Sequence, residues 1–174
     1  MKRNEIESRA TQILHDHNLL NIPVDPLRVA KALGIKVMNA VFSEQDKSGV
    51  IVKRENKFSI LLNTNEPPSR KRFTIAHEIG HSLLHMSSET DNDLVDTDDN
   101  FRSTEVSEAG TWSAERQREW EANVFASALL MNEELLNKKW VECSDPTILA
   151  WSFQVSPNAM IVRLTQLGLL KNLP

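Results

Sequence analysis

The chain has no tyrosine at all and a single cysteine, Cys143, among its 174 residues. One cysteine excludes an intramolecular disulfide framework, and a lone thiol near a helix end is read as inert rather than catalytic. The absence of tyrosine removes one of the side chains, with His and Arg, that hydrolytic sites commonly use to hold a developing oxyanion. Basic residues are not in excess either: 20 Lys and Arg stand against 24 Asp and Glu, a net charge of −4. That balance disfavours a nonspecific grip on nucleic acid. No apolar run is long enough to span a membrane. The polar start Met1-Lys2-Arg3-Asn4-Glu5 lacks the apolar stretch of a secretion signal. These absences together lead to the expectation of a cytoplasmic protein without membrane contact. What is present, 40% apolar and 25% charged residues, suits one globular domain over residues 1–174 with a real core.

Periodicity and turn chemistry predict the elements. N-terminal helices are expected within 4–33: Ile6, Ala10, Ile13 and Leu14 recur at helical spacing, and Asp25-Pro26 opens a second helix that Gly34 ends. A sheet is expected over 35–62, with strands near Ile35–Met38, 49–53 and 58–62; the polar turn 54–57 makes the last two an antiparallel hairpin. Helices follow at 69–86 and 113–130, and shorter ones within 132–170. Residues 87–113 read as a long acidic loop, either solvated or a lid that selects a basic substrate segment. The fold class is therefore α+β: mostly helical, with a small antiparallel three-stranded sheet packed on the 69–86 helix.

That helix carries the chemistry. His77-Glu78-Ile79-Gly80-His81 reads H-E-x-x-H. Two histidines four apart lie on one helix face, roughly 6 Å apart along the axis, where both can ligate one zinc ion. The glutamate between them is placed to take a proton from a metal-bound water. With His77 at 0°, His81 falls near 40°, His85 near 80° and Glu78 near 100°, while the apolar residues from Phe73 to Met86 fill about 160° to 340°. The polar stripe and the core-forming face are separate, as a metal-dependent peptidase requires. Gly80 is read as a position of close approach by another segment.

A third protein ligand is needed, with water left at the fourth position. The apolar 113–130 helix is the place to look, because a carboxylate there is costly unless it meets a partner. Glu119 is assigned as metal ligand. Asn123, one turn on, is expected to hydrogen-bond a ligating histidine or Glu119 itself. Glu121 is the rival ligand and Glu115 a weaker third. His85 is the candidate oxyanion donor by direction, against a plainer role at the helix C-terminus; Arg102 on the acidic loop is another.

These residues resemble the ImmA/IrrE family of zinc metallo-endopeptidases. The likeness is carried by Pro23-Val24-Asp25, by Phe73-Thr74-Ile75-Ala76 leading into the His77–His81 segment, and by Leu83-Leu84-His85. It continues through Glu119-Trp120-Glu121-Ala122-Asn123-Val124-Phe125-Ala126 and Leu129-Leu130-Met131, and ends in Phe153-Gln154-Val155-Ser156-Pro157-Asn158-Ala159-Met160 with Arg163-Leu164 and Leu167-Gly168-Leu169. Asn132 departs from the proline that many relatives carry there. The resemblance implies a zincin-like core, one zinc ion, and glutamate three residues before the Ala-Asn pair, Glu119, as ligand. It also implies a protein substrate, a helix-turn-helix repressor whose cleavage switches on genes of mobile elements or stress responses.

One alternative belongs to another class. Residues 147–164 look like helix, short turn, helix, as in DNA-binding units. A DNA-binding or protein-binding regulator with a non-catalytic metal site would fit. Its reading helix would offer only Asn158, Arg163 and Gln166, so direct nucleic-acid binding is disfavoured.

Overall fold

In the computed structural model, which describes residues 1–42, 47–86, 93–97 and 112–170, Glu55 and Asn56 both adopt positive φ, 47° and 59°. Such a pair forms the centre of a type I′ turn, whose twist suits a two-residue hairpin. It joins β2 (Gly49–Arg54) to β3 (Lys57–Asn63), paired antiparallel from Arg54↔Lys57 to Gly49↔Leu62. The expected hairpin is therefore present.

The rest of the sheet differs from expectation. It has four strands, in the order β1-β3-β2-β4, and is mixed rather than antiparallel. Strand β1 (Lys36–Ala40) runs parallel to β3, in register from Lys36↔Ser59 to Ala40↔Asn63. Strand β4 (Asp93–Thr97) pairs antiparallel with β2. Two physical facts explain the miss. Alternation of side chains says which face of a strand is buried but not which neighbour it takes. Strand β2 buries Val50 and Ile51 and sits inside the sheet, so its second edge needs a partner. Asp-Leu-Val-Asp-Thr supplies it from within the stretch read as a loop, although its own composition is a weak strand signal. Residues 87–92 and 98–111 of that stretch, with most of the proposed lid and Arg102, lie outside the described residues.

The helices are α1 (Arg3–Asp16), α2 (Pro26–Ala32), α3 (Pro68–Leu84), α4 (Ala114–Leu130), α5 (Glu133–Glu142), α6 (Pro146–Phe153) and α7 (Pro157–Gln166). Their starts follow capping chemistry. Asp25 accepts from Leu27 N at 3.0 Å with Pro26 at the first helical position, and Ser113 accepts from Arg116 N at 3.1 Å. Asn132 accepts from Glu134 N at 3.0 Å and donates to Thr11 Oγ1 at 2.8 Å. It thus caps α5 and ties that cap to α1. Gly34 stands at φ 73°, the left-handed position that ends α2. No helix among the described residues is long and apolar enough to cross a membrane.

Helix α3 runs through the middle. It packs on α4, on α2 and on strands β2 and β3. Ile75, Ala76 and Ile79 join Ile6, Leu14, Val29, Ile51, Ile60, Phe125 and Leu129 in the main core. A second cluster, with Leu136, Leu149, Phe153, Met160 and Leu164, holds α5, α6 and α7 together. Arg163 lies fully buried on α7. Its guanidinium donates to the Met131 carbonyl at 3.1 Å and to Glu7 Oε1 at 2.7 Å, fastening α7 to α1 and to the end of α4.

At Gly80, α3 and α4 approach each other closely. A Cβ there would stand 3.2 Å from Ala122 Cα, 3.3 Å from Ala122 O and 3.3 Å from Phe125 Cβ. Two of those atoms are backbone and cannot yield. Gly80→Val is expected to lower stability by about 1–3 kcal/mol through overpacking, read by urea unfolding. Arg163→Leu strands the Glu7 carboxylate and should cost roughly 2–4 kcal/mol in the same assay, somewhat less than a fully buried pair because Glu7 keeps some access to water.

Candidate metal centre

The close crossing at Gly80 lays one polar stripe against another. His77, Glu78 and His81 on α3 are only 0–2% exposed. Buried polar groups of this kind need polar partners, and α4 supplies them. As α3 advances by turns through His77, His81 and His85, α4 retreats through Asn123, Glu119 and the Arg118 carbonyl. Each imidazole meets a polar group of α4, and Glu119 faces two of them.

Nε2 of His77 and Nε2 of His81 stand 2.9 Å apart. Glu119 Oε2 is 3.4 Å from the first and Glu119 Oε1 is 3.1 Å from the second. Among the described residues these three form the one group of His, Cys, Asp and Glu side chains close enough to share an ion. Donor atoms bound tetrahedrally to one zinc at about 2.0–2.2 Å lie about 3.3–3.6 Å from one another. The observed separations are within a few tenths of an ångström of that spacing, and two imidazoles with one carboxylate are zinc-type donors. The residues present therefore fit a metal ion.

Asn123 Oδ1 lies 3.0 Å from Nδ1 of His77. An amide oxygen only accepts, so Nδ1 of His77 donates to it, which leaves Nε2 as the ring atom that faces the shared space. Burial pushes the Glu119 carboxyl upward. Hydrogen bonds and charge attraction from His77 and His81 outweigh burial and hold it well below the usual carboxylate range. Glu119 is ionised at neutral pH, as a ligand must be.

The remaining candidates fall elsewhere. Glu121 accepts from Gln117 Nε2 at 2.9 Å, pairs with the α-amino group of Met1, and lies 3.8 Å from His85 Nε2. It is absent from the three-atom group. Glu115 is exposed in the first turn of α4. His85 ends α3; its Nε2 donates to the Arg118 carbonyl at 3.2 Å and its ring stacks edgewise on His81 at 5.4 Å. Burial and the neighbouring His81 lower its pKa against the Arg118 carbonyl and Glu121, which raise it. Of the three polar residues expected on a DNA-reading helix, Arg163 is buried, Gln166 accepts from Arg3 Nη1 at 3.3 Å and Asn158 is exposed.

Sequence reasoning missed Gly49 at the start of β2, which brings that strand against Thr74 and Glu78. A glycine opening an otherwise β-branched strand was the available signal, since such a residue often marks close backbone approach.

An α+β chain whose central helix offers H-E-x-x-H to a carboxylate from a second helix has the architecture of a metallopeptidase-type protein. Residues 30–165 match the peptidase M78 family, described as the IrrE N-terminal-like domain. The chain belongs to that family. The radiation response metalloprotease IrrE of Deinococcus radiodurans is 32% identical over 112 residues, which cover 62% of this chain and 30% of the relative. Its counterpart in Deinococcus deserti is 38% identical over 78 residues, 45% of this chain and 24% of the relative. The chain thus spans about a quarter to a third of the length of these curated relatives. A Mycobacterium tuberculosis transcriptional regulator of known structure superposes with a TM-score of 0.63 at 17% identity, over 92% of this chain and 47% of that one. At that identity the likeness concerns the fold alone.

Zinc titration against a chelating dye should give one ion per chain, with binding lost in Glu119→Ala. Asn123→Ala leaves the ligands but frees the His77 ring, and affinity should fall about 10–100-fold. Affinity should also fall on acidification, because each imidazole must be neutral to ligate.

Proposed function

We propose that this chain is a zinc-dependent endopeptidase with Glu78 as general base. The observation that carries the reading is the convergence of the His77, His81 and Glu119 donor atoms from two helices, with Glu78 buried on the same stripe. Membership in a peptidase family supports it, as does the name metalloprotease borne by both Deinococcus relatives.

A zinc ion held by these three residues supplies Lewis acidity for the scissile carbonyl and brings the pKa of a neighbouring water toward neutrality. Glu78 takes the proton of the attacking water and returns it to the leaving amine. Asn123 fixes the His77 tautomer so that its lone pair stays aimed at the ion. Glu119 contributes the negative charge that makes the site neutral in part. His85, engaged with the Arg118 carbonyl of α4, braces His81; it would become an oxyanion donor only if substrate drew it off that carbonyl.

The substrate is a protein. From the family resemblance we read it as a cytoplasmic helix-turn-helix repressor whose cleavage relieves repression, recognised without direct nucleic-acid contact by the peptidase. Burial of Arg163, the only charged residue of α7, weighs against the DNA-binding alternative.

The test is incubation of the zinc-loaded chain with the protein encoded beside it, followed by mass spectrometry for a new terminus. Cleavage should appear with zinc and vanish with chelator. Glu78→Gln should lower the rate about 10²–10⁴-fold while zinc stoichiometry is unchanged. A Glu78→Gln variant that cuts as fast as the native chain would remove the general base from this account.

A further inference from the structure

Thr74 lies one turn before Glu78 on α3, on the same face. It is 1% exposed, and its hydroxyl has no hydrogen-bond partner among the described residues. That is unusual for a hydroxyl inside a helix, which ordinarily returns to a carbonyl one turn back. Three others in this chain do so: Ser82 to Ile79 O at 2.7 Å, Ser152 to Ile148 O at 2.9 Å and Thr165 to Ile161 O at 2.9 Å. A buried hydroxyl left unpaired is costly, so its retention calls for a partner in the working state.

Gly49 explains why Thr74 stands as it does. A Cβ on Gly49 would lie 2.5 Å from the Thr74 methyl Cγ2, 3.2 Å from the Leu61 carbonyl and 3.7 Å from Glu78 Oε1. Gly49 does not occupy the left-handed region, so space rather than backbone freedom requires it. Strand β2, Thr74 and the Glu78 carboxylate meet at one point. A β-branched side chain has one stiff torsion. With the methyl seated against β2, the direction of the hydroxyl is fixed as well.

We propose that Thr74 is a positioning residue for Glu78: wedged by its methyl against Gly49, it donates its hydroxyl hydrogen bond to the Glu78 carboxylate once the site is loaded. The consequence for catalysis rests on the peptidase reading; the contact itself does not. Hydrogen bonds of catalytic groups are often long in the unliganded state and tighten with substrate. A carboxylate on a flexible side chain gains one fixed orientation from such a donor, and proton transfer from water needs that orientation.

The test combines four variants of the full zinc-loaded chain with a zinc-loaded crystal structure. Thr74→Val keeps the branched shape and removes the hydroxyl. It should lower kcat for the protein substrate of the cleavage test about tenfold, with KM, zinc affinity and Tm close to native. Thr74→Ser keeps the hydroxyl and should retain kcat within about threefold. Gly49→Ala should lower kcat because its new Cβ meets the Thr74 methyl. Thr74→Ser placed in the Gly49→Ala background removes that methyl and should restore much of the loss. In the crystal structure Thr74 Oγ1 should lie within hydrogen-bond reach of Glu78. The proposal is overturned by native kcat in Thr74→Val, by a kcat loss that only follows zinc affinity and Tm, or by a crystal structure with the hydroxyl bonded elsewhere. The crystallographic readout needs no turnover. A native chain that binds zinc and cuts nothing therefore sinks the peptidase reading alone, and the crystal structure still decides the contact.

Discussion

Helix α4 can lie against α3 as closely as it does because Gly80 has no side chain to hold it off. The point of contact falls between His77 and His81 on one helix and between Glu119 and Asn123 on the other. A carboxylate side chain reaches only a few ångströms from its backbone, so a wider spacing would leave Glu119 short of the two rings. The hydrophobic partners of the crossing, Ile79, Phe125, Ala126 and Leu129, are all fully buried. Their burial drives the helices together, and the missing side chain sets how near they come.

That crossing imposes an electrostatic demand as well. It takes two imidazoles and two carboxylates out of water, and each must then be paired. The structure answers with a ladder in which each of the three histidines on α3 meets a polar group on α4, while Glu78 faces the start of β2. The two ends of the ladder differ in character. At Asn123 the partner is neutral and sets a tautomer; at Glu119 it is an ion whose charge two histidines stabilise. Beyond it, His85 and the Arg118 carbonyl close the end of α3. An arrangement of this kind is rigid around a small polar volume, which is what repeated binding of a cation between fixed ligands requires.

Much of this was legible along the chain. The stripe through His77, Glu78 and His81, the Asp25-Pro26 helix start, the Gly34 stop and the 54–57 turn depend on neighbours a few residues apart, so local chemistry decides them. Glu119 was a harder case. Helix geometry places Glu115, Glu119 and Glu121 in one segment, and only the orientation of α4 against α3 separates the residue facing both rings from the one that turns to Gln117 and His85. Strand β4 and the parallel placement of β1 were not legible, because strand pairing is a choice among distant edges. Arg163, which in sequence is one of three polar residues a DNA-reading helix could offer, is a buried tie between α7, Met131 and Glu7. Its partner Glu7 is far away in sequence, and no local pattern links them.

The sequence by itself determined the helical face that carries two histidines and a glutamate, the membership of a known family, and the local starts and stops of most elements, since each follows from periodicity or from a hydrogen bond within one turn. Only the tertiary structure decided which carboxylate joins the histidines, which residue fixes the His77 ring, and how β2 comes to rest on Thr74 beside Glu78. Those outcomes depend on distances between segments separated by tens of residues, and such distances are set by side-chain volume at the contact, here by its absence at Gly80 and Gly49.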